Sequence, residues 1–137
     1  MFERILYLVS EKQEEKSFVM ELARRHQSTV FLAGLLGLER HPEGRGEGET
    51  RRRELREARE RKSWHDIYHL EEVFKSAGIK SSVVAQQGNI DTIQLLASST
   101  RCDLIVLAAA SLADYDYRLP EELLPNLPCP LVVTNSP

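Results

Sequence analysis

The chain has 137 residues, of which 42% are hydrophobic and 28% charged, and its formal net charge is −3. That length fits a single domain, residues 1–137, able to bury roughly 65–70% of the surface its unfolded form exposes, and the composition excludes disorder throughout. The acidic balance argues against nucleic acid, since phosphate binding needs a basic face, and no apolar run approaches the roughly 20 residues of a membrane span.

The opening MFERILYLVSEK carries charges at Glu3 and Arg4 and enters a strand pattern at once. It lacks the layout of a signal peptide, so a cytoplasmic location is the expectation. Ile5 to Val9 is a continuous apolar run, as in a strand covered on both faces. Ser10 and Gln13 are spaced as a capping box. Phe18, Val19, Leu22 and Ala23 then recur at helical spacing, with Arg24, Arg25 and His26 at the end the helix dipole favours for cations. Thr29 to Leu36 reads as a second strand.

His41 to Thr50 (HPEGRGEGET) has three of the seven glycines and no large apolar residue, which predicts a flexible charged loop over about 40–52. Arg51 to Ala77 reads as a long helix with a stripe of Leu55, Ala58, Ile67, Leu70, Val73, Phe74 and Ala77, stopped by Gly78. Its first turns (RRRELREARERK) are almost wholly charged and are expected to project into water, held by i, i+3 and i, i+4 pairs rather than serving as a nucleic-acid arm.

Ile79 to Ala85 is a third strand, Gly88-Asn89 a turn, and Ile90 to Thr100 a helix with Ile90, Ile93, Leu96 and Ala97 inward. Asp103 to Leu107 is a fourth strand, Pro120 to Leu124 a short helix, and Pro130 to Thr134 the last strand. Alternating strands and helices predict an α/β, doubly wound parallel sheet with helices on both faces and right-handed crossovers.

The order of these pieces, with "GN" before a helix, "CDLIVL" as penultimate strand and "LPCPLVVT" as the last, resembles the universal stress protein family over nearly the whole chain. The resemblance implies an open five-stranded sheet in the order 3-2-1-4-5, a dimer formed through the last strand, and in many members ATP held at the carboxyl ends of the strands. It also implies an aspartate closing the first strand, a glycine directly after the fourth, another three residues on, and a glycine-serine or glycine-threonine pair about ten later. Here those places fall on Ser10, Ala108, Ser111 and Tyr117-Arg118, and no glycine follows Gly88. Glycine suits such a cradle because amides must come close to phosphate oxygens, at times with positive φ. Asp114 and Asp116 add charge adverse to a triphosphate.

Any ligand pocket is expected to be lined by Ser10, Ala85, Gly88, Asn89, Ala108 and Ser111. The exposed edge strand Leu131, Val132, Val133 and Thr134 is the expected dimer surface.

Other constellations carry plainer readings. His65 and His69 share a helix face at zinc-site spacing, but no third ligand is evident, and two solvated histidines are expected. Cys102 and Cys129 precede neighbouring strands and so come near one another. With Arg101 the only basic residue beside them, they read as structural thiols, reduced in the cytoplasm. Tyr115, Tyr117 and Arg118 read as filling the vacated pocket or as a contact surface.

Ser111 has no histidine near it and sits in no GxSxG elbow, and Glu11, Lys12 and Gln13 supply no phosphate loop, so no enzyme activity is expected. The expected function is a non-catalytic, homodimeric, universal-stress-type domain acting through an unidentified protein partner, without tight ATP or other cofactor. The alternative is a sensor that binds ATP or AMP weakly through an altered phosphate loop.

Overall fold

The computed structural model describes residues 2–9, 15–34, 48–85, 90–108 and 127–134. Along the chain these form β1 (Arg4–Val9), α1 (Lys16–His26), β2 (Thr29–Gly34), α2 (Gly48–Ser76), β3 (Lys80–Ala85), α3 (Ile90–Ser99), β4 (Leu104–Ala108) and β5 (Leu131–Thr134). All pairings are parallel, and the strand order is β3-β2-β1-β4-β5. The doubly wound α/β reading and its order 3-2-1-4-5 stand.

The continuous apolar runs are explained by what covers each face. Ile5, Tyr7, Val9, Val30, Leu32, Leu104 and Val106 point to one side and pack with Val19 and Ala23 of α1 and with Ile67, Leu70 and Phe74 of α2. Leu6, Leu8, Ala33, Ile105 and Leu107 point to the other and meet Ile93 and Ala97 of α3. Period-2 alternation thus sends every β1 side chain from Ile5 to Leu8 into a fully buried layer, each contributing roughly 1.5–3 kcal/mol.

α1 starts at Lys16 with Glu15 at its N-cap position and no side-chain cap bond, and the capping box expected at Ser10 and Gln13 lies outside the described residues. Two sequence expectations about α2 need correction. α2 begins at Gly48, so residues 48–52 are helical rather than part of the flexible loop. Helical i→i+4 bonding there extends the charged segment backwards by three residues from the expected start at Arg51. Ala58, placed in the apolar stripe, is exposed like Glu54, Arg61 and Lys62 beside it. Among the described side chains of α2, burial begins at Ile67, where the helix reaches the sheet. Gly78 ends the helical region in the left-handed conformation (φ 81°), the job its sequence position suggested.

Candidate functional site

In a sheet of this order the crossovers leave β1 in opposite directions on its two sides, which opens a crevice between the carboxyl ends of β1 and β4. The register runs Leu8 beside Leu107, and β4 continues to Ala108 opposite Thr134 of β5. On the other flank Val9 sits beside Gly34, and Ala33 beside Ala85. Of the expected pocket residues, Ala85 and Ala108 are therefore the carboxyl-terminal residues of β3 and β4, on the rim that borders the crevice. Ser10, Gly88, Asn89 and Ser111 lie outside the described residues, as do Tyr115, Tyr117, Arg118 and the short helix expected over Pro120 to Leu124.

The structure changes one part of the steric argument. Ala108 is an extended strand residue in register with Thr134, and the described non-glycine residues with positive φ are Gln27 and Arg101. No left-handed strain arises at Ala108.

The two edges of the sheet differ in kind. At β3 the Val83 N–H points away from β2 and donates to Glu71 Oε2 at 3.1 Å. The Ser81 hydroxyl donates to the Glu71 carbonyl at 3.3 Å, and Lys75 Nζ lies 3.5 Å from Glu71 Oε1. A helix side chain thus occupies a strand-edge donor, one of the ways proteins blunt an edge. At β5 the side away from β4 ends the sheet. Its residues are Leu131, Val132, Val133 and Thr134, half-buried except for Val133, which is 40% exposed.

The amino ends of β1 and β4 are tied by Asp103, which the sequence reading had placed merely as the first residue of a strand. Its Oδ2 accepts hydrogen bonds from the Glu3 N–H (2.8 Å) and the Arg4 N–H (3.0 Å), while its own N–H donates to the Arg4 carbonyl at 2.7 Å. Arg4 Nη1 reaches the Thr100 carbonyl at 2.9 Å. In the α1/α2 layer the Tyr7 ring stacks on Phe74 with centroids 6.3 Å apart. The Tyr7 hydroxyl is buried, with the Glu15 carboxyl as a polar neighbour. Burial first, and the nearby Glu15 carboxyl second, hold that phenol protonated well above the usual tyrosine range.

His65 and His69 lie with ring centroids 6.5 Å apart beside the Trp64–Tyr68 pair (6.4 Å), and with Glu72 these residues line an open hollow of about 280 Å³ on α2. Both histidines are exposed. Among the described residues no three His, Cys, Asp or Glu side chains gather as a metal site. Cys102 and Cys129 are free thiols with their sulfurs 3.4 Å apart, closer than their places before adjoining strands required. Among the described residues no helix is long and apolar enough to cross a membrane.

No family model and no curated sequence matches the chain. Solved structures do. Universal stress protein UspA from Lactobacillus plantarum superposes with a TM-score of 0.66 at 16% identity, covering 96% of this chain and 97% of that one. A universal stress protein solved in complex with cAMP gives 0.60 at 11% identity, with full coverage of both chains. The universal stress protein from Archaeoglobus fulgidus gives 0.58 at 18% identity over 97% and 93%. Five parallel strands in the same order, flanked by helices on both faces and matched end to end, establish that this chain has the universal stress protein fold.

Proposed function

We propose that the protein is a non-catalytic homodimer whose two copies pair along β5, and that it acts through protein contacts without holding ATP tightly. The observation that carries this reading is the contrast between the edges: β3 is blocked by Glu71, whereas β5 offers an apolar strand with no charged residue. An apolar edge strand of that composition is a template for another strand, and a twofold pairing closes the sheet without leaving a further edge. The partner beyond the dimer is a protein, in keeping with the acidic net charge.

Analytical ultracentrifugation tests the dimer. A dimer is expected at about 100 μM, and Val133→Lys should return it to monomer, because a lysine on an edge strand resists pairing. A wild-type monomer at that concentration would overturn the reading.

The second reading, a weak adenine-nucleotide sensor, draws support from the cAMP bound to a protein of the same fold and from the crevice beside Ala108. Calorimetric titration separates the two. The first reading expects no saturable heat from ATP, AMP or cAMP up to about 1 mM, whereas a micromolar dissociation constant would favour the second.

A further inference from the structure

We propose that Cys102 and Cys129 form a reversible oxidation site, closing to an intramolecular disulfide that fastens the start of β5 to the start of β4. The two sulfurs are 3.4 Å apart, so bond formation needs an approach of about 1.4 Å, within the reach of side-chain rotation. The frame that holds them is the sheet itself. Cys102 stands two residues before β4 and Cys129 two before β5. The strands are joined by the Ile105–Leu131 register and by the Ile105 N–H donating to the Pro130 carbonyl at 3.0 Å. Cys102 is further positioned by its thiol, 3.6 Å from the Ala97 carbonyl at the end of α3. Both cysteines belong to the α3-side layer, Cys102 in its core and Cys129 at its margin.

The oxidant this chemistry needs is a peroxide. Cys102 is buried and Cys129 half-buried, so Cys129 is the sulfur a small oxidant reaches. Its thiolate attacks one peroxide oxygen, the O–O bond breaks, and Cys129 becomes a sulfenic acid with loss of water. The Cys102 sulfur then attacks the Cys129 sulfur, the S–S bond forms, the S–O bond breaks and a second water leaves. Two thiols give up two electrons and two protons, and hydrogen peroxide becomes two waters.

Burial, and then the neighbouring Cys102 thiol, push Cys129 up to about 12. The first step is therefore slow at neutral pH and needs a substantial oxidant load, while the second follows at once because the resolving thiol is already in place. The bond spans the whole connection from β4 to β5, including residues 109–126. Oxidation would thus fasten the start of the edge strand to the start of β4, and the site does not depend on whether the protein dimerises.

Trypsin makes the test clean, because cleavage after Arg101 and Arg118 puts Cys102 in residues 102–118 and Cys129 in 119–137. The full-length reduced protein is treated with hydrogen peroxide, its remaining thiols are alkylated, and it is digested without reductant. The expected result is a cross-linked 102–118/119–137 species, with an intact mass about 2 Da lower, fully reversed by dithiothreitol. Melting of the oxidised protein should rise by roughly 10 °C, as expected for closing a loop of this length in the unfolded chain. Cys102→Ser and Cys129→Ser should each lose the cross-link and that rise, and Cys102→Ala provides a second check should the serine unsettle the core. Sulfinic acid or intermolecular disulfide in place of the cross-linked pair, or a bridged protein that melts no higher, would overturn the proposal.

Discussion

Replacing Asp103 with alanine tests how firmly a single carboxylate fastens the amino end of β1 to that of β4. The substitution removes two acceptor contacts, to the Glu3 and Arg4 amides at 2.8 and 3.0 Å, but leaves the Asp103 N–H bonded to the Arg4 carbonyl, so the register itself survives. Bonds to a charged acceptor are worth roughly 1.5–3 kcal/mol when enclosed. These lie at the surface, where water replaces part of what is lost, so about 0.5–1 kcal/mol each, or about 1–2 kcal/mol together, is the expected cost. For a domain of this size that is a fall in Tm of roughly 3–8 °C, measured by circular dichroism, with an unchanged urea m-value. Asp103→Asn keeps a neutral acceptor and should recover about half of the loss. Hydrogen exchange at the Glu3 and Arg4 amides should quicken in the alanine variant ahead of the β1 centre. An alanine variant melting within about 1 °C of wild type, or an asparagine variant as damaged as the alanine one, would refute the assignment.

Two further expectations follow from the buried layer. Phe74→Ala empties a fully buried site against Tyr7 and should cost about 3–5 kcal/mol in urea unfolding, whereas a loss under about 1.5 kcal/mol would mean that α2 does not seat on the sheet as described. Stability should decline as pH climbs past about 9. Cys129 is raised from its usual 9.0 to about 12 and Tyr7 is also raised, so the fold keeps protons that the unfolded chain releases. The loss should flatten in Cys129→Ser and lessen in Tyr7→Phe. At neutral pH Tyr7→Phe should change stability by less than about 1 kcal/mol, because the buried hydroxyl it removes makes no close hydrogen bond among the described residues. A stability constant from pH 8 to 11 in the wild type would contradict this account.

The three central strands were legible because each is a short apolar run whose two faces both need cover, and such a run has few alternatives to a central parallel strand. The helix stop at Gly78 was legible for a local reason too, since a left-handed residue at that point is cheap only for glycine. Where the charged helix begins was not. The run from Gly48 to Lys62 has no apolar period to mark a boundary, and composition alone favoured a loop over residues that are in fact helical. Glu71 and Asp103 escaped notice because their acceptors' partners are 12 and about 100 positions away along the chain, beyond any spacing rule.

The sequence by itself determined the class of fold, because burial on both faces is written into composition at the central strands. It also located the two cysteines ahead of neighbouring strands. Only the tertiary structure decided that their sulfurs come within 3.4 Å, that the β3 edge is capped by a helix carboxylate, and that Ala108 is ordinary extended strand. Those outcomes depend on register and on sub-ångström placement of elements remote in sequence, which local pattern does not encode.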